Sequence, residues 1–491
     1  FTAKRINFDQ QENMSLQLGS AQDQNAWSEG NQWTINSFFS RVNYTFANKY
    51  VIEGTIRADG SSRFDPDHRW GWFPGVNAAW RVGEEGFMKR LGWFEDLKVR
   101  ASYGEMGNQS GIGLYDYIQL ISLSNDYYPF GTGVKGQMAT SGNIISTSRT
   151  WETIQTTNVG FDFSTLNNRL YGSFDYFWKE NKNMLIPKTY PSMLGADAPS
   201  TNSGHLSIHG WEISLGWRDQ IKDFSYSVRF NISDAKNKVV DRVGSNLIQL
   251  GNNETPTGYP LNSYFGYEFD GIIQNEQELE AYKSRFSEGG IPGDLSVGDA
   301  MYKDLDGDGK LSVLGDGKEG SGDVKYLGDK NPRYNFGFNL SMAWKGFDLS
   351  AFIQGVGRRT MFLEGESRCP MPEAWYQSAE YWYGKTWTPE RTDAQYPAIT
   401  LKDKRNYNYY VSTNTKFNVA YARLKNLQFG YTIPQTLTSK AGLQKVRVYF
   451  SGEDLFEVHN TPNGWDPEEN SGSITSYPFT RNYSFGINVV F

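Results

Sequence analysis

Apolar and polar residues alternate along much of this chain with a period of two. In residues 224–233, Phe224, Tyr226, Val228, Phe230 and Ile232 fall on one face, and Ser225, Ser227, Arg229 and Asn231 on the other. Residues 334–344 repeat the pattern through Tyr334, Phe336, Phe338, Leu340, Met342 and Trp344. It resumes at Phe347, Leu349 and Ile353 after a tight Lys345-Gly346 turn. A period of two is the signature of a strand whose two faces meet different surroundings. The alternation predicts thirteen strands, at 37–46, 50–59, 71–82, 96–104, 156–164, 169–182, 206–218, 223–233, 333–345, 347–356, 420–433, 445–453 and 482–491. At about nine to thirteen residues these are longer than the five or six usual in soluble sheets. They match the length of a tilted strand that crosses a bilayer.

The two faces differ in kind. The apolar face carries no charge, whereas the other holds Glu53, Arg57, Asp162, Asp175, Glu212, Arg218, Arg229, Arg447 and Glu453. A barrel with lipid outside and water inside requires that division, because an arginine facing lipid at the midplane costs roughly 2–4 kcal/mol. Aromatic residues gather near strand ends (Tyr44, Phe46 and Tyr50; Tyr176 and Trp178; Trp211 and Trp217; Trp344 and Phe347), as interfacial girdles do. A soluble sandwich also alternates, but with shorter strands and more even loops. Here alternate connections are short (47–49, 83–95, 165–168, 219–222, 346 and 434–444). The intervening ones are long (60–70, 105–155, 183–205, 234–332, 357–419 and 454–481). Short turns on the periplasmic side and long loops on the outer side describe an outer-membrane barrel.

Composition changes this picture little. The 491 residues are 38% hydrophobic with a mean hydropathy of −0.60, and no run is long enough to cross a membrane as a helix. The aromatic share of 15% and the 51 glycines favour strands, turns and interfacial rings. A net charge of −7 argues against a nucleic-acid partner, and the single Cys369 leaves no internal disulfide and no cysteine-based zinc site. The opening "FTAKRINFDQ" has neither initiator Met nor apolar signal segment, so the expectation is a processed chain or a piece of something longer.

Several segments together carry a family resemblance: "NVGFDFSTLNNRLYGSFDYFWKENKNMLI", "SGHLSIHGWEISLGWRD", "YKDLDGDGKLS", "NPRYNFGFNLSMAWKGFDLSAFIQGVG", "YARLKNLQFGYTIP" and "VRVYFSGEDLF". From about residue 34 to the end, the chain resembles the SusC-like TonB-dependent transporters (the RagA/SusC family) of Bacteroidetes outer membranes. The resemblance implies active import of large nutrients, glycans or oligopeptides. It implies a SusD-like surface lipoprotein as lid and the TonB complex pulling on an N-terminal plug as the energy source. The terminal Tyr483, Phe485, Ile487, Val489 and Phe491 resemble the signal read by the barrel-assembly machinery. A barrel of this kind has 22 strands, so residues 1–491 are expected to be its C-terminal part, without the plug, the TonB box and nine strands. Because an open sheet edge cannot face lipid, strands 37–46 and 482–491 are expected not to pair with each other but with polypeptide outside the chain. The alternative function is a structural or adhesive outer-membrane barrel whose loops bind partners and pass nothing.

Candidate chemistry is sparse. "DLDGDGKLSVLGD" sets Asp304, Asp306 and Asp308 at positions 1, 3 and 5 of a calcium-type loop, with Gly309 at the sharp turn and the Lys310 carbonyl at position 7. Position 12 is Gly315 rather than Glu, and Asp316 stands one residue late as a substitute; a solvated acidic turn is the alternative. The loop 357–419 is dense in rings at Trp375, Tyr376, Tyr381, Trp382, Tyr383 and Trp387, a conceivable platform for substrate. The stronger reading is that the same rings pack the loop or meet the lipoprotein. Nothing resembles a catalytic constellation. His205 and His209 lie about 13 Å apart on a strand, "GVGRR" lacks the strand–helix context of a phosphate loop, and an enzyme is not expected.

Overall fold

The computed structural model describes residues 2–4, 25–27 and 30–491, except for 125–128, 131–133, 136–137, 143, 188–192, 194–198, 243–249, 252–254, 315–321, 373–376, 401–402, 470–471, 474–476 and 478. Thirteen strands form one antiparallel sheet in which every strand pairs with its neighbour in sequence. They are β1 (Ile35–Phe46), β2 (Tyr50–Ser61), β3 (Trp70–Trp80), β4 (Asp96–Asn108), β5 (Glu152–Thr165), β6 (Leu170–Pro187), β7 (Ser200–Ile221), β8 (Phe224–Asp241), β9 (Arg333–Trp344), β10 (Phe347–Arg358), β11 (Tyr421–Thr432), β12 (Lys445–His459) and β13 (Asn482–Val490). β1 pairs only with β2, and β13 only with β12, so the sheet has two open edges among the described strands.

Register decides which side chains share a face. Val99, Phe161, Phe174, Ile213, Ile232 and Phe336 lie opposite one another across β4 to β9 and form one apolar row. One residue along, Arg100, Gly160, Asp175, Glu212 and Ser233 form a polar row on the opposite face. A slip of one residue would exchange the two rows, so the pattern fixes the register. The turns support it. Lys345 (φ 45°) and Gly346 (φ 89°) both take left-handed backbone between the closing pair Trp344 and Phe347, the two-residue hairpin geometry that matches strand twist.

All thirteen predicted strands are present, but six (β4, β5, β6, β7, β8 and β12) run at least four residues further than the alternation indicated, most of all β7 and β8. β6 spans 18 residues, β7 spans 22, β8 spans 18 and β12 spans 15. The expectation of a charge-free apolar face fails towards the cap: Glu180 and Lys182, inside the predicted strand 169–182, and Lys236 and Lys238, in the extension of β8, stand on the apolar side, together with Ser207. Backbone pairing continues there, because ladder hydrogen bonds do not depend on side-chain polarity.

The long connections are not simple loops. Residues 263–329 hold a helix (Glu276–Arg285) and short strand pairs. Asn275 caps the helix, accepting from the Glu278 N–H at 2.9 Å, while Glu278 accepts the Gln274 N–H at 2.9 Å, a reciprocal cap. The helix buries Leu279 and Tyr282 in a core with Tyr267, Ile273, Tyr302 and Tyr407. A second core joins Met361, Tyr381, Trp382, Tyr396 and Tyr409 with Trp465 from the last long loop. The buried centre of the protein therefore lies beyond the strands, in a packed cap formed by three connections.

Candidate functional site

Two surfaces of the cap and one of the wall carry chemistry. The ring-rich stretch sits on a 3-10 turn, Glu380–Trp382. Its rings divide sharply. Tyr381 and Trp382 are 9% and 3% exposed. The Tyr381 and Tyr396 hydroxyls lie 2.7 Å apart, and Trp382 stands edge-on to Tyr396 and Tyr409 with centroids at 4.8 and 5.5 Å. Both rings are packing residues in this geometry. Trp387 is half-buried and donates from Nε1 to Gln274 Oε1 at 3.1 Å. Among the described rings of this stretch, Tyr383, 88% exposed, is the one free to meet something outside. It borders a cleft of about 400 Å³ with Glu380, Lys385, Asn463, Gly464 and Trp465, and Lys385 Nζ sits 3.5 Å over the Tyr381 ring. Trp375 and Tyr376 lie outside the described residues.

The acidic loop gathers a different set from the one its spacing suggested. Carboxylate oxygens of Asp304, Asp306 and Asp323 lie within 4.8 Å of one another. Asp304 accepts N–H groups of Gly307 (2.6 Å) and Gly309 (3.0 Å), which winds the loop tightly. Asp323 is fully buried and accepts from Leu305 N–H (2.7 Å) and Ser312 N–H (2.8 Å). Asp308 is not part of this trio; its Oδ1 accepts the Lys310 N–H at 2.8 Å. Asp316 lies outside the described residues. Burial raises the Asp323 and Asp306 carboxyls above the usual range, and the neighbouring aspartates raise them further. Three converging carboxylates with that mutual repulsion fit a hard divalent cation, which would supply the missing counter-charge. Sequence spacing could not reveal Asp323, which lies 15 residues beyond Asp308 and arrives through the fold.

By contrast, Glu268 in the same part of the cap is hydrogen-bonded to Lys303 and Lys325, and these bonds hold its carboxyl at about 2. Burial pushes the Tyr282 hydroxyl up to about 12, and it lies 2.6 Å from the Tyr407 hydroxyl inside the core.

The inner wall is lined with paired charge. Arg100 bridges Asp175 (2.6 Å) and Asp162 (3.2 Å), Arg447 meets Asp348 (2.5 Å), and Arg41 pairs with Glu53. Arg41 and Arg100 were not among the wall charges singled out from sequence, although the alternation already puts them on that face. Near the cap end of β11, a charged knot is built around Arg423, which is wholly buried. Its guanidinium lies 2.5 Å from Asp466, 3.2 Å from Glu468 and 3.7 Å from Glu457, with the Phe479 ring stacked at 4.2 Å. A register shift between Leu424 and Asn426 turns Lys425 onto Asp454 (2.7 Å) and Glu468 (3.0 Å). The knot ties the last long loop to β11 and β12. The terminal residues Tyr483, Phe485, Ile487 and Val489 share the apolar face of β13, and Phe491 beyond it is 83% exposed.

Comparisons with known proteins agree with this architecture. The family model for the TonB dependent receptor-like beta-barrel matches residues 3–455. TonB-dependent receptor P3 of Formosa agariphila is 32% identical over 490 residues, which is 94% of this chain and 46% of that protein. TonB-dependent receptor SusC of Bacteroides thetaiotaomicron is 27% identical, over 96% of this chain and 45% of its own length. Among solved structures, the RagAB peptide transporter superposes with a TM-score of 0.79 at 23% identity, covering 98% of this chain and 50% of that one, a likeness of fold. The chain spans about half the length of the curated relatives it matches.

Proposed function

The chain belongs to the TonB dependent receptor-like β-barrel family, whose members are outer-membrane proteins, and from that premise we propose that it forms one side of a TonB-energised importer of large nutrients. The observation that carries the reading is the division of the sheet. An apolar face uncharged below the Tyr176–Trp211 row runs across the strands, while the opposite face is a wall of paired charges such as Arg100, Asp162 and Asp175 beneath a folded cap. Such a wall suits a water-filled passage occupied by a plug. The similarity to SusC, and the fold shared with a structure described as a peptide importer, support a glycan or oligopeptide as cargo and a SusD-like lipoprotein seated over the cap. The test uses cells that carry the full transporter. Uptake of labelled oligopeptides or oligosaccharides is expected to stop when the proton-motive force is dissipated, and the lipoprotein is expected to co-purify. Cargo binding without energised uptake would favour the adhesive barrel instead.

The reading includes the rest of the barrel. The 12-residue β1 and the 9-residue β13 each leave one ladder unpaired, and every unmet backbone group in hydrocarbon costs several kcal/mol. Residues 1–491 alone are therefore expected to give no heat-modifiable species on detergent gels. Supplying the remaining half of the transporter in the same cell should restore one. A heat-modifiable barrel formed by this chain alone would contradict the proposal.

The reading also assigns calcium to Asp304, Asp306 and Asp323, as a brace for the cap. Asp323→Asn is expected to weaken calcium binding by about 10- to 100-fold, the loss usual when groups supporting a metal site are removed. Asp308→Asn should have the smaller effect. Terbium luminescence measures both, and equal losses from the two variants would reject the trio.

A further inference from the structure

We propose that the outer surface of β6, β7 and β8, just above the aromatic belt, binds a phosphate-bearing lipid headgroup of the outer leaflet. The apolar rows of these strands end at Tyr176 and Trp211, which lie opposite each other. The next outward row is Trp178, His209 and Lys236, and the one above it Glu180, Ser207 and Lys238. Lys182 stands one further step up β6. Alternation puts all of these on the same side as Ile213 and Ile232, so they continue the lipid-facing surface rather than the passage. Trp178 is 46% exposed, and Lys182, His209, Lys236 and Lys238 are exposed as well.

The charges in this band are unequal in their partners. Glu180 is already engaged by His205 Nε2 at 2.6 Å and by the Ser207 hydroxyl at 2.7 Å. Asp234, one row below, is held by Arg333 and by the Tyr334 N–H. Glu105, in the Glu180 row three strands away from Ser207, accepts from the Gln155 amide at 2.9 Å and from the Tyr103 hydroxyl. The three lysines, by contrast, enter no ion pair among the described residues. The surplus is cationic.

Lys236 and Lys238 are about 7 Å apart along β8, and Lys182, two strand spacings across and one row above Lys238, lies roughly 12 Å from Lys238 and about 17 Å from Lys236 at the backbone. That spread lets flexible ammonium groups converge on phosphate oxygens, while Trp178 offers an amphipathic ring at headgroup depth. Basic residues placed at this height recruit anionic lipid. The occupant follows from continuity: the patch has no boundary with the lipid-facing belt, so the group that meets it belongs to a lipid already packed against that belt.

The test uses the full transporter, delipidated in mild detergent, with native mass spectrometry as the readout. The probes are lipid A, the same lipid A treated with phosphatase, and inorganic phosphate alone. Retention of intact lipid A at least tenfold above the dephosphorylated form, with no adduct from inorganic phosphate, is the expected result. In the Lys182→Gln/Lys236→Gln/Lys238→Gln variant that preference should disappear while heat-modifiability on gels is kept. Should the triple variant not fold, Lys236→Gln alone is read against the wild type in 0.5 M salt, and both should lose most of the preference. Equal retention of the two lipid A forms, or an undiminished preference in a folded variant, would overturn the proposal, as would binding of inorganic phosphate in place of the lipid.

Discussion

Ile213→Arg is expected to reduce the folded fraction of the barrel sharply, while Ser214→Arg leaves it nearly unchanged. Ile213 lies in the apolar row between Phe174 and Ile232, eight residues from the end of β7 at the short-turn side. An arginine there faces lipid one row inside the Tyr176–Trp211 belt and costs up to about 2–4 kcal/mol, the figure for the midplane. Ser214 lies between Ser173 and Asn231 on the wall that already carries Glu212 and Arg218. An arginine there keeps its water and gains acidic neighbours. Folding titrations in urea, followed by the heat-modifiable gel shift, measure both. Equal losses would mean that the two faces have been assigned wrongly.

The second large effect is expected at Arg423. Replacing it by Ala strands Asp466, Glu468 and Glu457 around an empty centre, and breaking a buried charge pair from one side costs about 3–5 kcal/mol. The loss should be local. Arg423 sits where the last loop reaches the wall, so limited proteolysis of 460–481 should accelerate strongly while the strands stay intact. Asp466→Asn removes one of three carboxylates and keeps the cation, so it should have a smaller effect. A variant whose loop resists protease as well as the wild type would show that the knot does not hold the loop.

The wall of this protein was largely legible from its sequence, whereas the cap was not. Strand alternation is a local signal, and a charge-free face leaves one register open for each hairpin; the Phe224–Ile232 stretch needs nothing distant to be read correctly. The extension of β8 beyond residue 233 was missed because its outward residues turn polar above the aromatic belt, and Lys236 or Lys238 gives no reason to continue a strand except the partner across from it. The cap depends on tertiary contacts without period. Tyr282 and Tyr407 are 125 residues apart in sequence and share a hydrogen bond. Tyr381 and Trp382 looked like a platform because a dense run of rings suggests stacking, yet the fold spends both on its own interior and, among the described rings, leaves Tyr383 outside. Asp323 and Arg423 shared the same obscurity: each completes a site whose other members come from a different stretch of chain.

The packed cap also constrains how such a protein can diversify. Rings from the connection 359–420 and from the last loop fill one core, so these buried positions are as intolerant of change as the interior of a globular domain. Change is easiest at positions that, like Tyr383 and its neighbours Glu380 and Asn463 beside the cleft, border the core without supporting it. Preference should then drift by single exchanges at such rim positions. Wholesale replacement of a loop should succeed only when its partner loops are transplanted with it.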